Sequence, residues 1–133
     1  MNETETTKQA DARTLDQQGT DAAARFLQSN GYEILERDWG CKFGSTDIIA
    51  RQDDGTIAFL NVLTRMGIEE EMPNEDNGPE ERHKAERIAM AYIVQADWTA
   101  ETAVRFDHIC ICDADDNRTL LRHHKARFDG FSF

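Results

Sequence analysis

Apolar residues come along this chain in short bursts, and their spacing names the elements. Between residues 16 and 29, Ala22, Ala23, Phe26 and Leu27 recur at helical intervals, and Asn30-Gly31 supplies residue types that end helices. A first helix is expected there. Tyr32, Ile34, Leu35 and Trp39 then read as a strand leading into Cys41-Lys42-Phe43-Gly44. Ile48, Ile49 and Ala50 form a second extended run, and 57–60 with Val62 a third. Gln52-Asp53-Asp54-Gly55 between them carries the Asp-Gly signature of a tight hairpin. The three strands should form a meander.

Beyond Arg65, Pro73, Asn77-Gly78 and Pro79 break regular structure and leave a loop of about a dozen residues. Residues 80–95 read as a second helix, with Ala85, Ile88, Ala89, Tyr92 and Ile93 as its apolar stripe. Residues 104–112 are apolar on both faces, as a central strand would be. Asp115-Asp116-Asn117 turns the chain into a last extended run, 119–123, and the end is aromatic, with Phe128, Phe131 and Phe133. This order implies an α/β domain with a central mixed β-sheet flanked by helices. Residues 1–14 are rich in Thr, Glu, Gln and Asp and are expected to be a disordered arm, leaving 15–133 as a single domain.

Charge narrows the function classes. Fifteen Lys and Arg stand against 26 Asp and Glu, a formal net charge of -11. A broad nucleic-acid surface needs the opposite sign, because counterion release from phosphates requires cations, so nucleic-acid binding is expected to be weak or absent. The acids gather at 69–71 with Glu75-Asp76, and at 113–116. The first group follows the strand ending near Arg65 and would repel phosphate or attract a basic protein partner; the plainer reading is a solvated loop. No apolar run approaches the roughly 18 residues of a membrane span, and the polar start lacks a signal-peptide layout. Cys41, Cys110 and Cys112 are too few for a disulfide framework, so a cytoplasmic location without membrane contact is expected.

Candidate chemistry lies on the hairpin. Asp47 heads one strand, while Asn61, Leu63 and Arg65 share a face of the next because strand side chains alternate. A metal-dependent nuclease hairpin presents Asp from one strand and Glu-x-Lys from the other. Two carboxylates hold Mg²⁺ against a phosphate oxygen, and the lysine reaches the attacking water. Here the frame survives with most of its chemistry replaced.

Several blocks, in order from about Gly19 to Phe128, resemble the YraN-like family of bacterial proteins. These are small members of the restriction-endonuclease-like superfamily, whose core motif is written PD-(D/E)xK. The blocks are Gly19-Thr20 before Ala23-Ala24-Arg25-Phe26-Leu27, then Gly31-Tyr32-Glu33-Ile34-Leu35-Glu36-Arg37-Asp38-Trp39, then Gly44-Ser45-Thr46-Asp47-Ile48-Ile49. Phe59-Leu60-Asn61-Val62-Leu63-Thr64-Arg65 and Arg105-Phe106-Asp107 complete them. The resemblance implies a restriction-endonuclease-like fold and a site at Thr20, Ser45, Asp47, Asn61 and Leu63. The family has glutamate at the first, second and fourth of these positions and lysine at the last. Only Asp47 keeps the family residue, so no intact catalytic set is expected. Glu81 falls about where the family carries a basic residue.

Taken singly, Asp47 is a metal ligand or simply a polar residue capping strand and turn. Asn61 offers a carbonyl oxygen without charge, and Leu63 can neither orient water nor hold phosphate; filling the space of a lysine stem suffices to explain it. Lys42, Arg65 and Lys84 are candidates for a migrated lysine. His108, Cys110 and Cys112 alternate on one strand face, but successive positions diverge, so zinc at about 2.0–2.3 Å would need Cys41 or a distant His to close the site. Small buried side chains are the simpler account, and His123-His124 carries still less metal-site signal. The expectation is therefore a non-catalytic interaction module without a cofactor. The alternative is a nuclease with a rearranged site using Mg²⁺ or Mn²⁺, and a third reading is an acidic regulator binding a basic surface through residues 69–76.

Overall fold

The computed structural model describes residues 14–66, 78–96, 102–113, 119–126 and 131–132. The arm 1–13, the acidic loop 69–76, the turn 115–117, Phe128, Phe133 and the Arg65 side chain lie outside that description. Along the described chain run α1 (Leu15–Ser29), β1 (Glu33–Cys41), β2 (Gly44–Arg51), β3 (Ile57–Met66), α2 (Pro79–Gln95), β4 (Ala103–Asp113), β5 (Thr119–His124) and β6 (Phe131–Ser132).

Helix α1 begins where a capping box closes. The Thr14 hydroxyl accepts the Gln17 N–H at 3.1 Å, and the Gln17 side chain accepts the Thr14 N–H at 2.9 Å. It stops at Asn30, with Gly31 taking φ 86°. The buried stripe is small, Gly19, Thr20, Ala23, Ala24 and Leu27, so the helix lies close to the sheet. A Cβ on Gly19 would stand 2.2 Å from Thr64 Oγ1, which makes glycine the residue that permits this approach to β3. Helix α2 starts at Pro79 with Glu80 and Glu81 at its positive end, and it buries Ile88, Ala89, Tyr92 and Ile93.

The strands line up β1-β2-β3-β4-β5. The first three form the expected antiparallel meander, and β4 runs parallel to β3 after the α2 crossover. β5 returns antiparallel along the later half of β4, and β6 pairs with its first residues. The sheet is mixed, and each face carries a helix. On the α1 face, Ala23, Leu27, Ile48, Leu60 and Ile109 pack as one cluster; on the α2 face, Ile49, Phe59, Tyr92, Ile93 and Phe106 form another. Leu27, Ile48, Leu60 and Ile109 are wholly buried, each contributing about 1.5–3 kcal/mol.

One irregularity decides what the hairpin presents. Backbone pairing of β2 with β3 runs from Arg51↔Ile57 to Ile48↔Leu60. Beyond it, side chains complete the ladder: Thr46 Oγ1 donates to the Leu60 carbonyl at 3.1 Å, and Asp47 Oδ2 accepts the Val62 N–H at 2.7 Å. Beside it on β1, Asp38 adopts φ 50°, a conformation Asp tolerates better than most residues. Alternation slips by one position. Asp47 and Ile48 both turn toward α1, while Thr46 turns toward α2.

Candidate functional site

Because of that slip, the five positions of the expected site do not meet. A hollow on the α1 face is lined by Asp16, Gln17, Thr20 and Asp21 from α1, Arg37 and Asp38 from β1, and Asp47 from β2. Thr20 and Asp47 are brought together here. A second, smaller cavity lies on the α2 face among Ser45, Thr46, Phe59, Asn61, Ala85 and Ile88. Leu63, half-buried and two residues on from Asn61, shares that side by strand alternation and pairs with Cys110 of β4. The five positions that the resemblance groups together thus divide between opposite faces of the sheet, each with its own hollow.

In the first hollow Thr20 is satisfied by its own helix, its hydroxyl donating to the Asp16 carbonyl at 3.0 Å. Arg37 is engaged by Asp21. Burial pushes the Asp47 carboxyl above its ordinary value, the Val62 N–H opposes this, and the Asp38 and Asp16 carboxylates add to the rise. The oxygen donors suit a hard cation in type. Their arrangement does not: among the described residues no three His, Cys, Asp or Glu side chains gather to hold a metal.

The candidate migrated lysines sit elsewhere. Lys84 lies over Gly44, where an added Cβ would come within 2.7 Å of its Cε, and Lys42 Nζ stands 5.2 Å from the Phe43 ring centre. Both belong to the corner between the β1–β2 turn and α2. Glu81 is half-buried in the first turn of α2. His108, Cys110 and Cys112 are buried along the α2 side of β4, with the His108 ring edge-on to His124 at 6.2 Å. None of the three cysteines forms a disulfide, and Cys41 lies at the end of β1, three strands from β4.

A different constellation is the most tightly held polar group among the described residues. Asp107, wholly buried, accepts from Arg105 Nε at 2.9 Å, from Arg105 Nη2 at 3.0 Å and from the Ala126 N–H at 2.9 Å. His123 Nε2 lies 2.9 Å from its other face. Arg105 also donates to Gln52 Oε1 at 2.6 Å and to the Tyr32 hydroxyl at 2.7 Å. Burial by itself would raise the Asp107 carboxyl, but the hydrogen bonds from His123, Arg105 and Ala126 outweigh it and hold the group below the usual carboxylate range. Arg105 and Asp107, two apart on a strand, were the visible signal. His123 comes to them only with the Ile109↔His123 register, and Gln52 only with the hairpin that the Ala58↔Arg105 pairing sets beside β4.

The chain matches the model of the uncharacterised protein family UPF0102 over residues 19–111. A UPF0102 protein of Nocardia farcinica is 35% identical over 118 residues, 89% of this chain and 91% of that one. A Roseiflexus castenholzii UPF0102 protein is 38% identical, covering 70% and 74% of the two chains. A solved structure of a Silicibacter pomeroyi protein of unknown function aligns with 85% of this chain and 73% of its own at 11% identity and a TM-score of 0.38. No helix among the described residues is long and apolar enough to cross a membrane.

Proposed function

The chain belongs to UPF0102, the YraN-like family, and from that premise we propose that it acts as a non-catalytic interaction module on a nuclease-like fold. One observation carries this reading. Asp47 lines the α1-face hollow with Asp16, Asp21 and Asp38, while Asn61 lines the α2-face cavity, so the two positions that would share a metal border different hollows. Hydrolysis of a phosphodiester needs a metal that neutralises developing charge and a group that positions water. Near Asp47 the described cation is Arg37, already held by Asp21. Losing one preorganised electrostatic contributor commonly costs about 10²–10³ in rate, so losing two should leave nothing measurable.

A rearranged metal-dependent nuclease is the second reading, favoured by the three further aspartates around Asp47. The test is incubation with linear and branched DNA and with RNA in Mg²⁺ or Mn²⁺, beside an Asp47→Ala control. We expect no cleavage. Metal-dependent cutting that vanishes in the control would establish the nuclease. Binding of the same substrates near 0.15 M salt should be about 10⁻⁴ M or weaker, given the net charge of -11.

A further inference from the structure

Although the chain is strongly acidic, its corner between the β1–β2 turn and α2 is cationic. Lys42 Nζ lies 5.2 Å and the Arg87 guanidinium 5.9 Å from the Phe43 ring centre, and Lys84 packs its stem over Gly44 beside them. All three cations are exposed, and Phe43 keeps 37% of its surface in solvent. Among the described residues none of the three has a carboxylate partner: Glu86 is turned to Arg82 at 3.8 Å, and Glu80 lies in the first turn of α2. From Arg87 the same helix face continues to Met90 and Val94, spaced i, i+3, i+7, with 52% and 74% of their surfaces exposed. A helix that buries its other face so well gains nothing in folding by displaying these two side chains.

We propose that this corner docks an acidic, amphipathic segment of a partner protein, carboxylates meeting Lys84, Arg87 and Lys42 while apolar side chains cover Phe43, Met90 and Val94. Charge complementarity and the adjoining apolar run together select that occupant. Three cations are too few for a nucleic-acid track, where about 6–10 phosphate contacts are needed for substantial affinity. The inference names a partner class for the interaction-module reading and rests on it. The two fail separately, because cleavage dependent on Asp47 ends that reading, whereas absent peptide binding with absent cleavage ends only the inference.

The test uses the full chain and a fluorescein-labelled helical peptide of Glu and Leu, about four turns long, followed by anisotropy. Controls are its Lys/Leu and Glu/Ser counterparts and a single-stranded oligonucleotide. The Glu/Leu peptide should bind at least about tenfold tighter than any control, and Lys84→Glu with Arg87→Glu should weaken it by about tenfold or more. Phe43→Ala should weaken it less, about threefold, with unchanged thermal unfolding showing that the fold is intact. No saturable binding, tighter binding of the oligonucleotide, insensitivity to the double charge reversal, or self-association that the same reversal abolishes would each overturn the proposal.

Discussion

Asp47 and Asp107 lie on the same side of the same sheet, and each accepts a backbone N–H, from Val62 in one case and Ala126 in the other. Their surroundings act in opposite directions. Asp107 faces a guanidinium and an imidazole, and its carboxyl is held down against burial; Asp47 is pushed up chiefly by burial, with Asp38 and Asp16 adding to the rise. Burial raises both, so the sign is decided by neighbours. One aspartate is an element of stability. The other is retained at a cost, in a corner where the chain supplies acids and no uncommitted cation among the described residues. Family membership alone does not distinguish the two, and only the packing around them separates a carboxylate that its neighbours stabilise from one that they disfavour.

The contrast predicts its largest effect at Asp107. Asp107→Ala leaves Arg105 and His123 without their buried acceptor, which should cost about 3–5 kcal/mol, read by urea unfolding with an unchanged slope. Because the folded value lies below the unfolded one, the wild-type contribution is complete above about pH 4 and is lost as pH falls through the lowered folded value. The variant should lack that acid limb. A loss under about 1 kcal/mol would mean that the network is not what holds β4, β5 and the hairpin turn together.

A smaller effect is expected one step out. The Tyr32 hydroxyl accepts from Arg105 at 2.7 Å and donates to Gln52 at 3.3 Å, while Arg105 reaches Gln52 directly as well. Tyr32→Phe should therefore cost about 1 kcal/mol, since the guanidinium keeps its other acceptors. If it costs as much as Asp107→Ala, the hydroxyl is a member of the network on equal terms, and Asp107 is not its centre.

These residues also mark how far the sequence could be read. The helical spacing of Ala22, Ala23, Phe26 and Leu27, the Asp54-Gly55 turn and the doubly apolar run 104–112 are local signals, and the elements followed them closely. The site depended on a non-local one. The resemblance grouped Asp47 with Asn61, but the backbone ladder ends at Ile48↔Leu60, and Asp38 on the neighbouring strand takes φ 50°. Nothing in residues 44–47 announces that slip. Likewise Arg105 and Asp107 stood in the sequence only as part of a family-like Arg-Phe-Asp block, and His123 and Gln52 join them only through strand pairing and the hairpin turn. Charge sums hid the cationic corner for a related reason: Lys42, Lys84 and Arg87 are up to 45 residues apart and meet only in the fold.

The smallest predicted effect has the opposite sign and probes the other aspartate. Asp47→Asn keeps an oxygen to accept the Val62 N–H but removes the charge that burial, Asp38 and Asp16 disfavour. A carboxyl whose folded value is raised loses stability for the protein as pH climbs from its unfolded value, about 4, through the folded one; above that the deficit is constant. The Asn variant does not titrate there. It should match wild type below about pH 4 and exceed it at pH 7, by less than about 1 kcal/mol because the hollow is open to screening solvent. Added salt should shrink the difference. Asp38→Asn supplies an independent approach, since Asn accepts the same positive φ while removing one of the carboxylates acting on Asp47, and it should lower the Asp47 titration seen by NMR. Destabilisation of about 2 kcal/mol or more by Asp47→Asn at pH 7 would show that the carboxylate charge is welcomed in that hollow, which would favour a cation there and the rearranged-nuclease reading.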